Sequence, residues 1–174
     1  MTKYTELPEV STDDTWSAAN HNLYIRDNFA TLRGSFALVT RDAVQSIPND
    51  TLTTITMDHE YYDTGDYYSA GAPTRITFPV TGFYLVIADV NFGVNTTGVR
   101  CIYGFIDGVE GYRMRTNPVA ATGYSTAYTT INFPILTYQT PGKYLEFKVD
   151  QTSTGALNVT FFRVGVKLLH DLTT

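Results

Sequence analysis

Between residues 58 and 68 the chain reads Asp58-His59-Glu60-Tyr61-Tyr62-Asp63-Thr64-Gly65-Asp66-Tyr67-Tyr68, its densest run of carboxylate and phenol groups. Carboxylates gathered by one loop can hold Ca²⁺, which takes about six to eight oxygen ligands. The spacing here does not match an EF-hand loop, and acidic glycine-containing loops are ordinarily solvated. The run also carries four tyrosines within eight residues, Tyr61, Tyr62, Tyr67 and Tyr68. An exposed tyrosine stacks on a sugar or anchors a protein partner, because it offers a large rigid surface with a polar tip. The same rings would serve equally well to cover the end of a sandwich. Tyr61, Tyr62, Asp63, Asp66, Tyr67 and Tyr68 are therefore the candidate receptor or partner loop.

Other chemistry is sparse. His21, His59 and His170 are scattered through the chain without metal-ligand spacing. Cys101 is the single cysteine, has no histidine near it in sequence, and lies in a strand-like run beside Arg100 and Ile102. That context predicts an inert, half-buried thiol in a reducing compartment, with no internal disulfide. No Gly-x-Ser-x-Gly elbow is present. The expectation is a protein that is not an enzyme, with no catalytic residue, no metal and no cofactor. Arg113 and Arg115 alternate with Tyr112 and Met114 and share one strand face; they suit either pairing with acids of a neighbouring subunit or protection of an edge strand by charge. The Asn-x-Thr triplets at Asn49, Asn95 and Asn158 read as accidents of a Thr- and Asn-rich chain.

The elements that position these groups follow from composition and period. With 174 residues the chain is one domain's worth. Charged residues make up 17%, against roughly 25% in an average soluble domain, while 13 Tyr and 10 Phe bring aromatics to 14%. Aromatic and β-branched side chains suit a pleated, half-buried surface, so sheet is favoured over helix. Low charge leaves apolar surface of the kind that subunits cover for one another. A net charge of -5 and the lack of any Lys or Arg run exclude a nucleic-acid face. The start, Met1-Thr2-Lys3-Tyr4-Thr5-Glu6-Leu7-Pro8, lacks the apolar core of a leader, and no run approaches the roughly 18 apolar residues that a membrane helix needs, so neither secretion nor membrane insertion is expected.

Residues 1–15 read as an extended arm, with Pro8, Ser11, Thr12 and Asp13-Asp14 giving no sustained apolar period. From Trp16 to Leu32 a helix is predicted: Ser17 suits an N-cap, Ala18, Asn22, Ile25, Phe29 and Leu32 recur at spacings of four, three, four and three, and Gly34 suits a C-terminal stop. Asn22 in that seam is the kind of polar residue that fixes register in a helical bundle. A three-helix bundle and a single amphipathic helix lying on its own domain or on a neighbour both fit. After a link over 34–45, strand-length runs are predicted at 51–57, 74–78, 83–92, 100–106, 111–115, 125–136, 144–150 and 157–168. Asp107-Gly108 marks a hairpin with a type I′ turn, and Thr81-Gly82, Pro141-Gly142 and Thr154-Gly155 break other runs. In the run 83–92 the faces Phe83, Leu85, Ile87 and Tyr84, Val86, Ala88, Val90, Phe92 are equally apolar, as in a strand central in a sandwich or covered by another subunit.

Three blocks resemble a known family of jelly rolls. Phe78-Pro79-Val80-Thr81-Gly82-Phe83-Tyr84-Leu85-Val86 is similar to the Pro-x-x-Gly-x-Tyr turn and central strand of the complement-globular-head and tumour-necrosis-factor-like domains. Thr140-Pro141-Gly142-Lys143-Tyr144-Leu145-Glu146-Phe147 looks like a later strand of that fold, and Phe161-Phe162-Arg163-Val164-Gly165-Val166-Lys167-Leu168-Leu169 like its closing strand. The resemblance covers about residues 45–169 and implies an all-β, antiparallel jelly-roll sandwich that forms a homotrimer. A second resemblance joins Asp13-Asp14-Thr15-Trp16-Ser17-Ala18-Ala19-Asn20-His21-Asn22-Leu23-Tyr24-Ile25-Arg26-Asp27-Asn28-Phe29 to a segment near the start of small tailed-bacteriophage virion proteins. It implies an attachment region over 1–44, with Trp16, Asn22, Ile25, Arg26, Phe29 and Leu32 facing capsid or trimer partners, and a head domain over 45–174. The expected role is capsid decoration, with the phage major capsid protein as partner, on the surface of a virion built in the bacterial cytoplasm. The alternative is a tail-fibre or baseplate tip that recognises a host receptor or glycan beside other tail proteins.

Overall fold

The computed structural model describes residues 34–117 and 129–173. The arm and helix expected over 1–33, with Trp16, Asn22, Ile25, Arg26, Phe29 and Leu32, lie outside the described residues. Within them the chain forms eleven strands: β1 (Phe36–Arg41), β2 (Gln45–Ile47), β3 (Thr53–Thr54), β4 (His59–Asp63), β5 (Arg75–Thr77), β6 (Gly82–Phe92), β7 (Arg100–Ile106), β8 (Val109–Thr116), β9 (Thr129–Gln139), β10 (Tyr144–Gln151) and β11 (Leu157–Asp171). They build two sheets, one ordered β4-β1-β11-β6-β9 with β2 beside β11, the other β3-β10-β7-β8 with β5 beside β10. Every pairing is antiparallel. Apart from the β7–β8 hairpin, the long strands from β6 to β11 alternate between the two sheets, the winding of the jelly roll that the three blocks implied.

The core lies between the sheets and is supplied by alternate residues of each strand. Tyr84, Val86, Ala88, Val90 and Phe92 of β6 face Ile102 of β7 and Leu145, Phe147 and Val149 of β10, all fully or almost fully buried. Phe147 joins the layers directly, with its ring 6.4 Å from Phe133 and 5.3 Å from Phe162. In β11 the inward parity changes from Val159 to Phe162, Val164, Val166 and Leu168, because a bulge between Val159 and Phe161 inserts one residue. Pro134 sits in β9, where the sheet path ends; an edge strand tolerates the missing N–H.

The turns carry the expected chemistry. Asp107 and Gly108 have φ of 49° and 80°, both positive as a type I′ hairpin demands, and close β7 onto β8. Gly142, at φ 82° after Pro141, takes the left-handed corner of the turn into β10. Gly82 is not a turn residue: it opens β6 where a Cβ would lie 2.3 Å from the His170 carbonyl oxygen, so the backbones approach too closely for any side chain.

Three segments differ from expectation. The link over 34–45 contains β1 and the start of β2, so the sheet begins at Phe36 rather than after residue 45. Phe36-Ala37-Leu38-Val39 is apolar on both faces, hence without visible alternation, and it becomes a strand because β11 supplies its ladder from Phe36↔Lys167 to Arg41↔Phe162. The acidic run 58–68, expected as a loop, begins as strand β4 paired with β1. The run 51–57 contains only the two-residue β3.

Candidate functional site

The acidic, tyrosine-rich segment divides into inward and outward residues. Tyr61 and Tyr62 on β4 are exposed, 53% and 60%. Their rings point to opposite sides of the strand: Tyr61 meets His59 edge-on at 4.4 Å, and Tyr62 leans on Phe36 at 6.1 Å. Tyr67 is in the core, and its hydroxyl shares a hydrogen bond with Ser35. Burial pushes the Tyr67 phenol up to about 12, outweighing the opposite pull of that hydrogen bond. Tyr68 is half-buried and donates its hydroxyl to the Met57 carbonyl at 3.1 Å. Only Tyr61 and Tyr62 of the four rings are thus open to a partner, and the reading in which tyrosines cover the sandwich end applies to Tyr67 and Tyr68.

Two of the four carboxylates of this segment are occupied by backbone amides. Asp63 accepts the amides of Gly65 at 3.0 Å and Tyr68 at 2.8 Å, and Asp58 accepts those of Asp42 at 2.8 Å and Ala43 at 3.0 Å. These bonds hold the corner after β4 and dock it on β1; they also consume lone pairs that a cation would need. Asp66 adopts φ 56° at the turn tip, a left-handed position that aspartate tolerates better than most residues.

A larger surface emerges on the outward face of the β4-β1-β11-β6-β9 sheet. Register places Tyr62, Leu38, Gly165, Ile87 and Pro134 in one cross-strand row, and Phe36, Lys167, Leu85 and Leu136 in the next. Phe83 and Tyr138 extend it, their rings 5.6 Å apart. Leu136 is 65% exposed, Tyr138 50%, Ile87 44%, Phe83 43% and Phe36 40%. Lys167 does not break this face, since its ammonium donates to the Gly34 carbonyl at 3.1 Å and lies above the Phe36 ring. Polarity returns only at one end, where Arg163 pairs with Asp89 beside Asn132. Gly165, at the centre, leaves the face without a side chain, and a Cβ there would touch only the Ile87 carbonyl oxygen at 4.0 Å.

Sequence alone marked this face through the doubly apolar strand 83–92, whose even residues face the core and whose odd residues look outward. Leu38, Leu136 and Tyr138 were not singled out, because their membership depends on cross-strand register. A contiguous apolar patch of this kind is a candidate association surface. Cys101 on β7 is 6% exposed, and burial pushes its thiol up, as an inert cysteine requires.

Solved structures share this fold. The globular domain of a zebrafish complement 1qA protein aligns with a TM-score of 0.57 at 10% identity, over 79% of this chain and 98% of that one. Eiger TNF from S. frugiperda gives 0.57 at 11%, over 82% and 97%. Murine APRIL at pH 8.0 gives 0.54 at 16%, over 77% and 98%. No family model matches the chain, and no curated protein matches it either. At such identities the likeness establishes the jelly-roll fold.

Proposed function

We propose that the chain is a structural, non-enzymatic subunit that closes into a homotrimer through the outward face of the β4-β1-β11-β6-β9 sheet, and that this trimer decorates the capsid of a tailed phage. The observation that carries the first part is the apolar face itself. It holds two unlike patches, Phe36, Leu38 and Tyr62 towards one edge, and Leu85, Ile87, Leu136 and Tyr138 towards the other. Unlike patches on one surface favour a head-to-tail contact, which closes as a ring when the rotation permits. The likeness to tumour-necrosis-factor and complement-head jelly rolls supports three as the number. The phage assignment rests on the resemblance of residues 13–29 to the start of small virion proteins, with residues N-terminal to β1 as the link to the major capsid protein. Such a subunit stabilises the shell by binding its assembled state preferentially.

Exposed Tyr61 and Tyr62 favour a second reading, a tail-fibre or baseplate tip that meets a host receptor or glycan. Two measurements test these readings. Sedimentation equilibrium is expected to return three times the 19.4 kDa chain mass; a monomer at micromolar concentration overturns the association surface. Cryo-electron microscopy of purified particles is expected to show hundreds of copies on the shell, whereas a few copies at the tail end would replace decoration by host recognition.

A further inference from the structure

The outer face of the second sheet carries a depression of about 450 Å³ unconnected with the association face. Its floor is Cys101 and Tyr103 of β7, only 6% and 8% exposed although they point away from the core. Register sets two rows across it: Asp150, Cys101 and Arg115 in one, Lys148, Tyr103 and Arg113 in the other. Across Cys101 the β8 side is therefore guanidinium and the β10 side carboxylate, while Lys148 of β10 lies over the Phe105 ring at 4.2 Å, outside the lining. Tyr103 donates its hydroxyl to Asp150 Oδ2 at 2.8 Å, which pins the carboxylate in the lining of the depression. Arg113 lies 5.7 Å above the Tyr103 ring and 3.6 Å from Glu110, so its charge is partly answered. Among the described residues no carboxylate pairs with Arg115.

From this arrangement we infer that the β7–β8–β10 face binds a carboxylate-bearing sugar, an acidic residue of a polysaccharide. Arg115 supplies the planar fork that grips a carboxylate through two parallel hydrogen bonds. Asp150, across the depression, accepts hydroxyls, and Val99 with Cys101 offers an apolar strip to the C–H face of a ring. A bare anion such as phosphate meets repulsion from Asp150. A neutral sugar leaves Arg115 without a counter-charge. The volume falls within the range of roughly 300–1,000 Å³ typical of ligand sites. In the trimer the three depressions would act together on one polymer, raising avidity without new contacts, but the site itself does not depend on trimer formation.

The test uses the full chain with sodium glucuronate as probe and glucose, inorganic phosphate and glutamate as controls, read by titration of the protein's amide chemical shifts. Glucuronate is expected to bind and the three controls to bind at least tenfold more weakly. Arg115→Ala is expected to lower glucuronate affinity by about tenfold or more, the usual effect of losing a charge-assisted pair, with Arg115→Lys intermediate. The largest shifts on adding glucuronate are expected at Cys101, Arg115 and Asp150, while glucose leaves these signals unchanged. Equal binding of any control, or an Arg115→Ala chain that keeps its circular dichroism and its glucuronate affinity, overturns the site. Neither result bears on sedimentation, so this site and the trimer stand or fall separately.

Discussion

Thr154 holds its backbone at φ 72°, a left-handed conformation that a β-branched residue adopts only when its surroundings impose it. The imposition is visible: its amide donates to Asn49 Oδ1 at 2.8 Å, and the preceding Ser153 amide donates to Gln151 Oε1 at 2.7 Å. Glycine would keep those amides without the steric cost, so Thr154→Gly is expected to stabilise the fold by about 0.5–1 kcal/mol, read as a higher urea midpoint. Tyr67 bears on pH in the opposite sense. Its phenol is raised in the folded state to about 12 from 10.0, so its contribution is fully present below pH 10 and declines as pH rises through the folded value. Stability is expected to fall between pH 10 and about 12 with a slope approaching ~1.4 kcal/mol per pH unit from this group. Tyr67→Phe should lose about 1 kcal/mol at neutral pH with the Ser35 hydrogen bond, yet show a flatter alkaline decline. An unchanged alkaline slope would remove Tyr67 as its source.

At the scale of elements, β10 does the joining. Its burial alternates strictly from Tyr144 to Gln151, and Leu145, Phe147 and Val149 turn inward against the opposite sheet. Phe147 is 1% exposed and touches aromatic rings of β9 and β11. Phe147→Ala would leave a cavity at the centre of the sandwich, walled by strands too interlocked to collapse into it. The expected cost is about 3–5 kcal/mol in a denaturation series with unchanged denaturant dependence. A loss below about 1 kcal/mol would mean that the layers are held elsewhere.

At the scale of the whole molecule, the proposed assembly turns on the outward sheet face. Leu136 is 65% exposed in a single chain, and a Cβ at Gly165 meets nothing nearer than 4.0 Å, so neither position is needed for the fold. Leu136→Asp and Gly165→Arg are each expected to lower the sedimenting mass to that of one chain while the circular dichroism and the urea transition persist. Such charges would be desolvated at a contact, at a cost well above the benefit of any single apolar neighbour. Retention of the multimer by both variants would place self-association on another surface.

Much of this protein was legible in its sequence because the deciding physics is local. Asp107-Gly108 demanded a left-handed pair whatever surrounded it, and aromatic, β-branched runs separated by glycine turns specified antiparallel sheet at most of its long strands. The doubly apolar run 83–92 signalled a strand either central in a sandwich or covered by another subunit. Tertiary structure alone decided which of its faces lies in the core. It also decided that Phe36–Arg41 is a strand, since that segment finds its ladder in β11, more than a hundred residues away in sequence. The tyrosines of 58–68 look equivalent as letters, yet Tyr67 is buried and Tyr62 exposed, because the corner at Asp63 to Asp66 turns the chain from the sheet edge into the core. The rows Asp150–Cys101–Arg115 and Tyr62–Leu38–Gly165–Ile87–Pro134 were likewise invisible: each is a product of register, and register is a property of paired strands, never of one strand alone.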